Sequence, residues 1–148
     1  MSRRFTIGVF QDLSWAERGL DALTKHGFSP ESLTILGQDS PDLRALIEKR
    51  LAGTAEALTV DGIGPTIARG PLLETLRQDG GDLATQGLTG LIAKAGFQKH
   101  DGQIYERLAA KGGVLVAVHN EPRAADALAT LLAYGGGNAA IGAWSGRL

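Results

Sequence analysis

"VLVAVHNEPRAADALATLLAYGG", residues 114–136, reads as a strand running into a helix. Val114 to Val118 is an apolar, largely β-branched run that favours extended backbone. Asn120 stands where a helix cap is wanted and Pro122 suits a first turn. Ala124, Leu128, Leu131 and Gly135 then recur at helical spacing. The same 4-3-4 spacing joins Ala16, Leu20, Leu23 and Gly27, at a constant offset of 108 positions. That earlier helix follows the strand-like "FTIGVF" (5–10), with Ser14 and Glu17 at capping-box spacing and Gly27 as the left-handed C-terminal residue. "LTILG" (33–37) reads as a further strand, and the offset maps it onto "IGAWS" (141–145).

Two strand–helix–strand units of one kind predict an α/β fold, an α+β sandwich of the ferredoxin-like βαββαβ type with right-handed crossovers. The chain then divides within a single domain, 1–148, into a first half (5–37), an insertion (38–113) and a second half (114–145). The insertion is too long for a hairpin loop and too apolar for a linker. It reads as Gly-rich and mostly helical. Ser40 caps a helix with Pro41 in its first turn and an apolar stripe of Leu43, Leu46, Ile47 and Leu51, ended by Gly53. A shorter helix is expected around Leu72 to Leu76, and another from Leu83 to Ala95. "DGQIYERLAAKGG" (101–113) reads as a last one, capped by Asp101 and stopped by Gly112.

Composition excludes several classes. Fifteen basic and 16 acidic residues give a net charge of −1, which supplies no footprint for nucleic acid and no polybasic anchor. With no cysteine there is no disulfide, thiolate or zinc–thiolate chemistry. The opening "MSRRFTIGVFQD" meets Gln11 and Asp12 too soon for a signal peptide. No uncharged apolar run approaches the ~20 residues of a spanning helix. A cytoplasmic protein without stable membrane insertion is the expectation.

The 21 glycines are about twice the usual share of roughly 7%. "DGIGPTIARGP" (61–71) concentrates them, and invites comparison with a phosphate-binding loop. Such a loop converges backbone N–H groups on a helix N-terminus, usually with a Lys and a Ser or Thr next. Here Pro65 removes an N–H at the critical place, no such pair follows, and the first cation is Arg69. The stretch reads instead as a tight turn with prolines starting or stopping elements. His26, His100 and His119 stand on separate elements without the spacing of metal ligands, and no G-x-S-x-G is present. No metal, cofactor or catalytic set is expected.

"YERLAAKGGVLVAVH" (105–119), taken with "IGVFQDLSWAERGLDALTKHGFSPESLTILG" (7–37), resembles the bacterial general stress protein (heat-induced stress protein, 17M-like) domain family. The resemblance is carried by Ala16, Leu20, Leu23, Gly27 and Phe28, then by Tyr105, Glu106, Gly112 and Gly113. Gly62, Gly64, Pro65, Gly70 and Pro71 are similar to the family's Gly/Pro-rich middle. At "GFQKHDGQ" (96–103) relatives tend to have a proline and an acidic run, which this chain lacks. The resemblance implies a small ferredoxin-like, stress-associated domain without established catalytic residues. It therefore points to a non-enzymatic module that acts by self-association or by binding a protein partner. The alternative is a small-molecule sensor or enzyme using the sheet as a pocket wall, with Tyr105, Glu106 and His119 flanking Gly112–Gly113 as candidate ligand-binding residues.

Alternation along the strands adds one expectation. Phe5, Ile7 and Val9 share a face with each other, as do Leu115 and Ala117, while Val114, Val116 and Val118 point oppositely. Both faces are apolar, so both need cover. Helices 14–26 and 122–134 cover one. The insertion is expected over part of the other, and a homodimer over the remainder.

Overall fold

In a computed structural model of the chain, the described residues are 4–51, 53–78, 99–134 and 144–147. They form a mixed α/β structure around one antiparallel sheet. The strands are β1 (Arg4–Phe10), β2 (Leu33–Gln38), β3 (Glu56–Val60), β4 (Gly64–Arg69), β5 (Val114–Val118) and β6 (Trp144–Arg147). Their order is β3-β4-β2-β5-β1-β6. The helices are α1 (Leu13–Lys25), α2 (Pro41–Leu51), α3 (Pro71–Gln78), α4 (Lys99–Ala110) and α5 (Ala124–Ala133). In the register, Ile7 faces Ala117 on β5, and Ile35 of β2 faces Val116 on its other side. Because β5 is antiparallel to both β1 and β2, those two run parallel to each other with β5 between them.

The offset of 108 reappears only in part as burial: of the spaced pairs, Leu23 and Leu131 are both buried, while Ala124 and Leu128 are half-buried where Ala16 and Leu20 are buried. Gly19, Ala22 and Leu23 are buried on α1, and Ala127, Thr130 and Leu131 are buried on α5. Each of the three pairs is 108 apart. The local signals differ, however. The α1 cap is Asp12, whose Oδ1 accepts from Trp15 N at 3.0 Å, in place of the expected Ser14–Glu17 box. A cap has to lie where the chain leaves β1, and that geometry selects the earlier residue. Asn120 does not cap α5 with its side chain. Its carbonyl accepts from Arg123 N, opening a 3-10 turn over Glu121–Arg123 that contains Pro122. At the far end of α1, Gly27 has φ 88°, and Phe28 N–H reaches back to Leu23 O at 3.1 Å. The expected glycine stop is therefore a Schellman cap with its buried apolar pair Leu23 and Phe28.

Beside the helices α2, α3 and α4, the insertion carries a β-hairpin that the sequence reading did not expect. "EALTV" and "GPTIAR" are β3 and β4, joined through the turn that carries Gly62 and Gly64, with φ 88° and 93°. The prolines do mark element starts: Pro65 is the second residue of β4 and Pro71 the first of α3. What the helical reading missed is that Thr66, Ile67 and Ala68, between them, are buried sheet residues. Ser40 caps α2 as expected, its hydroxyl accepting from Leu43 N at 3.1 Å. The last helix of the insertion starts at Lys99, so Asp101 lies inside its first turn. The helix expected over Leu83 to Ala95 lies outside the described residues, as do Gly135 and 141–143. The described part of the last strand, Trp144–Arg147, overlaps the expected 141–145 at two positions.

Each face of the sheet packs a separate cluster. Val114, Val116, Val118, Ile35 and Phe10 meet α1, α2 and α5 through Leu20, Leu23, Leu46, Ile47 and Leu131. Ile7, Val9, Leu36, Leu115 and Ala117 meet Leu72 and Leu73 of α3 and Ala109 of α4. The alternation read from the sequence assigns these side chains to their faces correctly. On the second face Ile7, Leu115 and Ala117 are 0% exposed within one chain, and Leu58 and Leu108 are half-buried at the margin of that cluster.

Candidate functional site

The chain leaves β4 at Arg69 and enters α3 at Pro71, and only Gly70 stands between. Gly70 has φ 133°, and a Cβ there would strike Leu33 O and the Cα and hydroxyl of Thr34. A glycine is needed on both counts, conformation and space. The close approach brings the first turn of α3 onto β2, where buried Leu72 N–H donates to Thr34 Oγ1 at 3.0 Å. A strand residue thus caps a helix that lies 38 positions further along.

This junction borders a groove of about 400 Å3. Leu33 and Leu51, from the cluster under α2, and Ala68 and Leu73, from the cluster on the opposite face of the sheet, border it while themselves buried. Its rim is charged, with Glu31, Glu56, Glu74 and the guanidinium of Arg69. Arg69 Nη1 donates to Thr54 O at 3.2 Å. The guanidinium lies where a side chain on residue 53 would sit, and Gly53 leaves that space open. An arginine laid along backbone and tied to a carbonyl presents its remaining donors in a fixed direction.

A second, smaller cleft of about 270 Å3 runs between α1 and α2 and is lined by Ser14, Glu17, Arg18, Asp21 and Arg50. Ion pairs fill it: Lys25 to Asp21 at 3.1 Å, Arg50 to Asp21 at 3.6 Å and Lys49 to Glu17 at 3.9 Å. The hydrogen bond from Lys25 and its charge hold the Asp21 carboxyl below the ordinary carboxylate range, with Arg50 adding to the effect. The cleft is a charged seam between helices.

The residues singled out from the sequence stand apart. Tyr105 and Glu106 are neighbours on α4, and the side chain of Tyr105 lies outside what the structure describes. The half-buried Glu106 carboxylate lies against the β3–β4 turn, so near that a Cβ on Gly62 would come within 2.9 Å of its Cδ. Gly112 and Gly113 lie close by in the chain, ending α4 and leading into β5. Gly113 N–H returns to Leu108 O at 2.9 Å and Gly112 has φ 94°, a second Schellman cap. His119 is at the other end of β5, where its N–H donates to Ser32 O at 2.7 Å. The structure places Glu106 against the β3–β4 turn and Gly112–Gly113 at the start of β5, and separates His119 from those glycines by the length of that strand. None of the three candidates is among the described residues lining the groove. The residues that do line it gave little signal in sequence. Arg69 was visible only as the first cation after the Gly/Pro turn, and nothing in the sequence singled out Glu31, Glu56 or Glu74. Among the described residues no group of three His, Asp or Glu side chains is placed to hold a metal ion. Nor, among them, is any helix long and apolar enough to cross a membrane.

No family model, no curated protein and no solved structure matches the chain.

Proposed function

We propose that the chain is a non-enzymatic, stress-associated small domain that acts through self-association or partner binding. The fold within this reading is ferredoxin-like: β2-β5-β1-β6 is the strand order that two interleaved βαβ units generate, and α1 and α5 pack on the same face. The observation that carries the functional reading is the separation of Glu106 from His119. The two side chains best suited to acid–base work stand at opposite ends of β5, too far apart to act on one bound molecule. A cytoplasmic location belongs to the same reading.

In this proposal the homodimer forms at the sheet edge. β3 is the outer strand, and Thr59 stands opposite Pro65. Pro65 has no N–H to exchange, so Thr59 directs its own N–H and C=O away from β4, toward a new strand. Sedimentation equilibrium at micromolar concentration is the test. The expected mass is twice the chain's 15.5 kDa, and Thr59→Pro, which removes an outward N–H only, returns it to one. A single-chain mass for the native protein overturns self-association.

The groove favours a second reading, a small-molecule sensor with the sheet as pocket wall, because Leu33 of β2 and Arg69 of β4 line it. A thermal-shift screen against nucleotides, amino acids and metal salts tests it, and no shift from any of them sinks it.

A further inference from the structure

We propose that β3 pairs with β3 of a second copy, antiparallel about a two-fold axis at Leu58, and that Arg69 takes Asp61 of the partner subunit across the joint. This rests on the self-association reading and names its register. β3, the outer strand, lacks the lysine, proline or bulge that commonly blunts a sheet edge. It reads "EALTV", and its pairing with β4 is regular from Glu56 to Val60. Glu56, Ala57 and Thr59 are exposed, and Leu58 is half-buried. Thr59 opposes Pro65 and so directs its main-chain groups outward, and by the alternation of an antiparallel ladder Ala57 does the same.

With the axis at Leu58, Ala57 falls opposite Thr59 of the partner subunit, and the two exchange both bonds on each side of the axis. Leu58 meets Leu58 of the partner subunit in the close, non-bonded position, which covers its exposed part. Glu56 falls opposite Val60 of the partner subunit, so the two glutamates stay at opposite ends of the joint. Charge selects this register. Arg69 stands beside Ile35 of β2, and its guanidinium reaches over to Thr54 O and Gly53, on the chain that leads into β3. Continued by one position, the β3–β4 register sets Ala55 next to Arg69. The axis at Leu58 sets Asp61 of the partner subunit on the other side of Ala55. Alanine is small enough for the exposed side chains of Arg69 and Asp61 to meet above it. An axis at Thr59 keeps the main-chain bonds but sets Ile63 of the partner subunit there, and an axis at Ala57 sets Thr59 there.

The chain has no cysteine, so single replacements in the full chain report the register without background. Under mild oxidation Leu58→Cys should form a disulfide-linked dimer fastest, because Cα atoms in that position lie about 4.5 Å apart, within disulfide range. Ala57→Cys and Thr59→Cys, each offset from its twin along the strand, should lag by about tenfold or more. Asp61→Arg and Arg69→Asp should each weaken dimerisation about tenfold in sedimentation equilibrium. An equimolar mixture of the two should restore it, since every such contact then joins opposite charges. Both positions are exposed, so each variant alone should keep the native circular dichroism. Fastest cross-linking at Ala57→Cys or Thr59→Cys, or a mixture no tighter than its parts, overturns the register and leaves self-association standing. A single-chain mass for the native protein overturns both.

Discussion

The two faces of the sheet are closed by different means. On the face under α1, α2 and α5, close contacts run through side chains. Gly19 of α1 gives way to the ring of Phe10, and Gly37 to a methyl of Leu43. On the face under α3 and α4, the junctions that deliver the helices run through backbone. Gly70 presses on Leu33 O and Thr34 Cα, and a Cβ on Gly113 would lie 2.6 Å from Leu108 O and 3.0 Å from Phe10 O. Polar links complete that second face, from Leu72 N–H to Thr34 Oγ1 and from Gln38 Nε2 to Ala110 O at 2.7 Å. One face therefore depends on volume and tolerates rearrangement of neighbours. The other depends on where main chain meets main chain, and it has less to give.

Core truncation on the first face should cost the most. Leu20 is 0% exposed amid that cluster, and Leu20→Ala should lose about 3 kcal/mol in urea unfolding. A loss below that of Gly113→Val would reverse the ranking. Gly113→Val should come next, at about 2 kcal/mol, because its neighbours are carbonyl oxygens that cannot rotate away. Its partner in the comparison is Gly112→Ala, where φ is 94° but no atom lies within 4 Å of the added methyl. Conformational strain alone should hold that cost to about 1 kcal/mol. Equal losses at the two glycines would remove the claim that backbone contact governs this junction.

Thr34→Val keeps the shape of the side chain and deletes the acceptor for Leu72 N–H, so about 1.5 kcal/mol is expected. Hydrogen exchange adds the location: α3 should lose protection while α1 keeps it. Uniform loss across both helices would mean that Thr34 supports the sheet and not the helix start.

The smallest effect belongs to the seam between α1 and α2. Lys25 holds the folded-state pKa of Asp21 below the ordinary carboxylate value. A depressed carboxyl stabilises the fold above its unfolded pKa, and that contribution is lost as pH falls through the folded value. Asp21→Asn should therefore reduce the drop in melting temperature between about pH 5 and pH 3, slightly and less so in high salt. Identical acid profiles for variant and native chain would show that the ion pairs there add nothing.

Sequence reading reached the first face more fully than the second, for a physical reason. Leu20, Leu23, Leu46, Ile47 and Leu131 repeat with the period of a helix, and Val114 to Val118 alternate with the period of a strand. Such periodicities are local properties of the chain. Gly27 as a helix stop is equally local, since the bonds it permits close within six residues. The hairpin of β3 and β4 was not legible, because "EALTV" becomes a strand by pairing with "GPTIAR", and a five-residue run carries too little pattern of its own. The groove was less legible still. Glu31, Thr54, Arg69 and Leu73 come from four elements and share no spacing, so no period or motif could announce them.

By itself, then, the sequence determined which residues alternate, which helices are amphipathic and where a glycine must end a turn, because these follow from backbone geometry over a few residues. Only the tertiary structure decided that α3 and α4 would pack on the second face, that Glu106 and His119 would stand apart, and that Arg69 would be tied to Thr54 O beside Gly53. Those outcomes depend on contacts between segments tens of residues apart, such as Thr34 with Leu72, whose energy exists only once the whole sheet has formed.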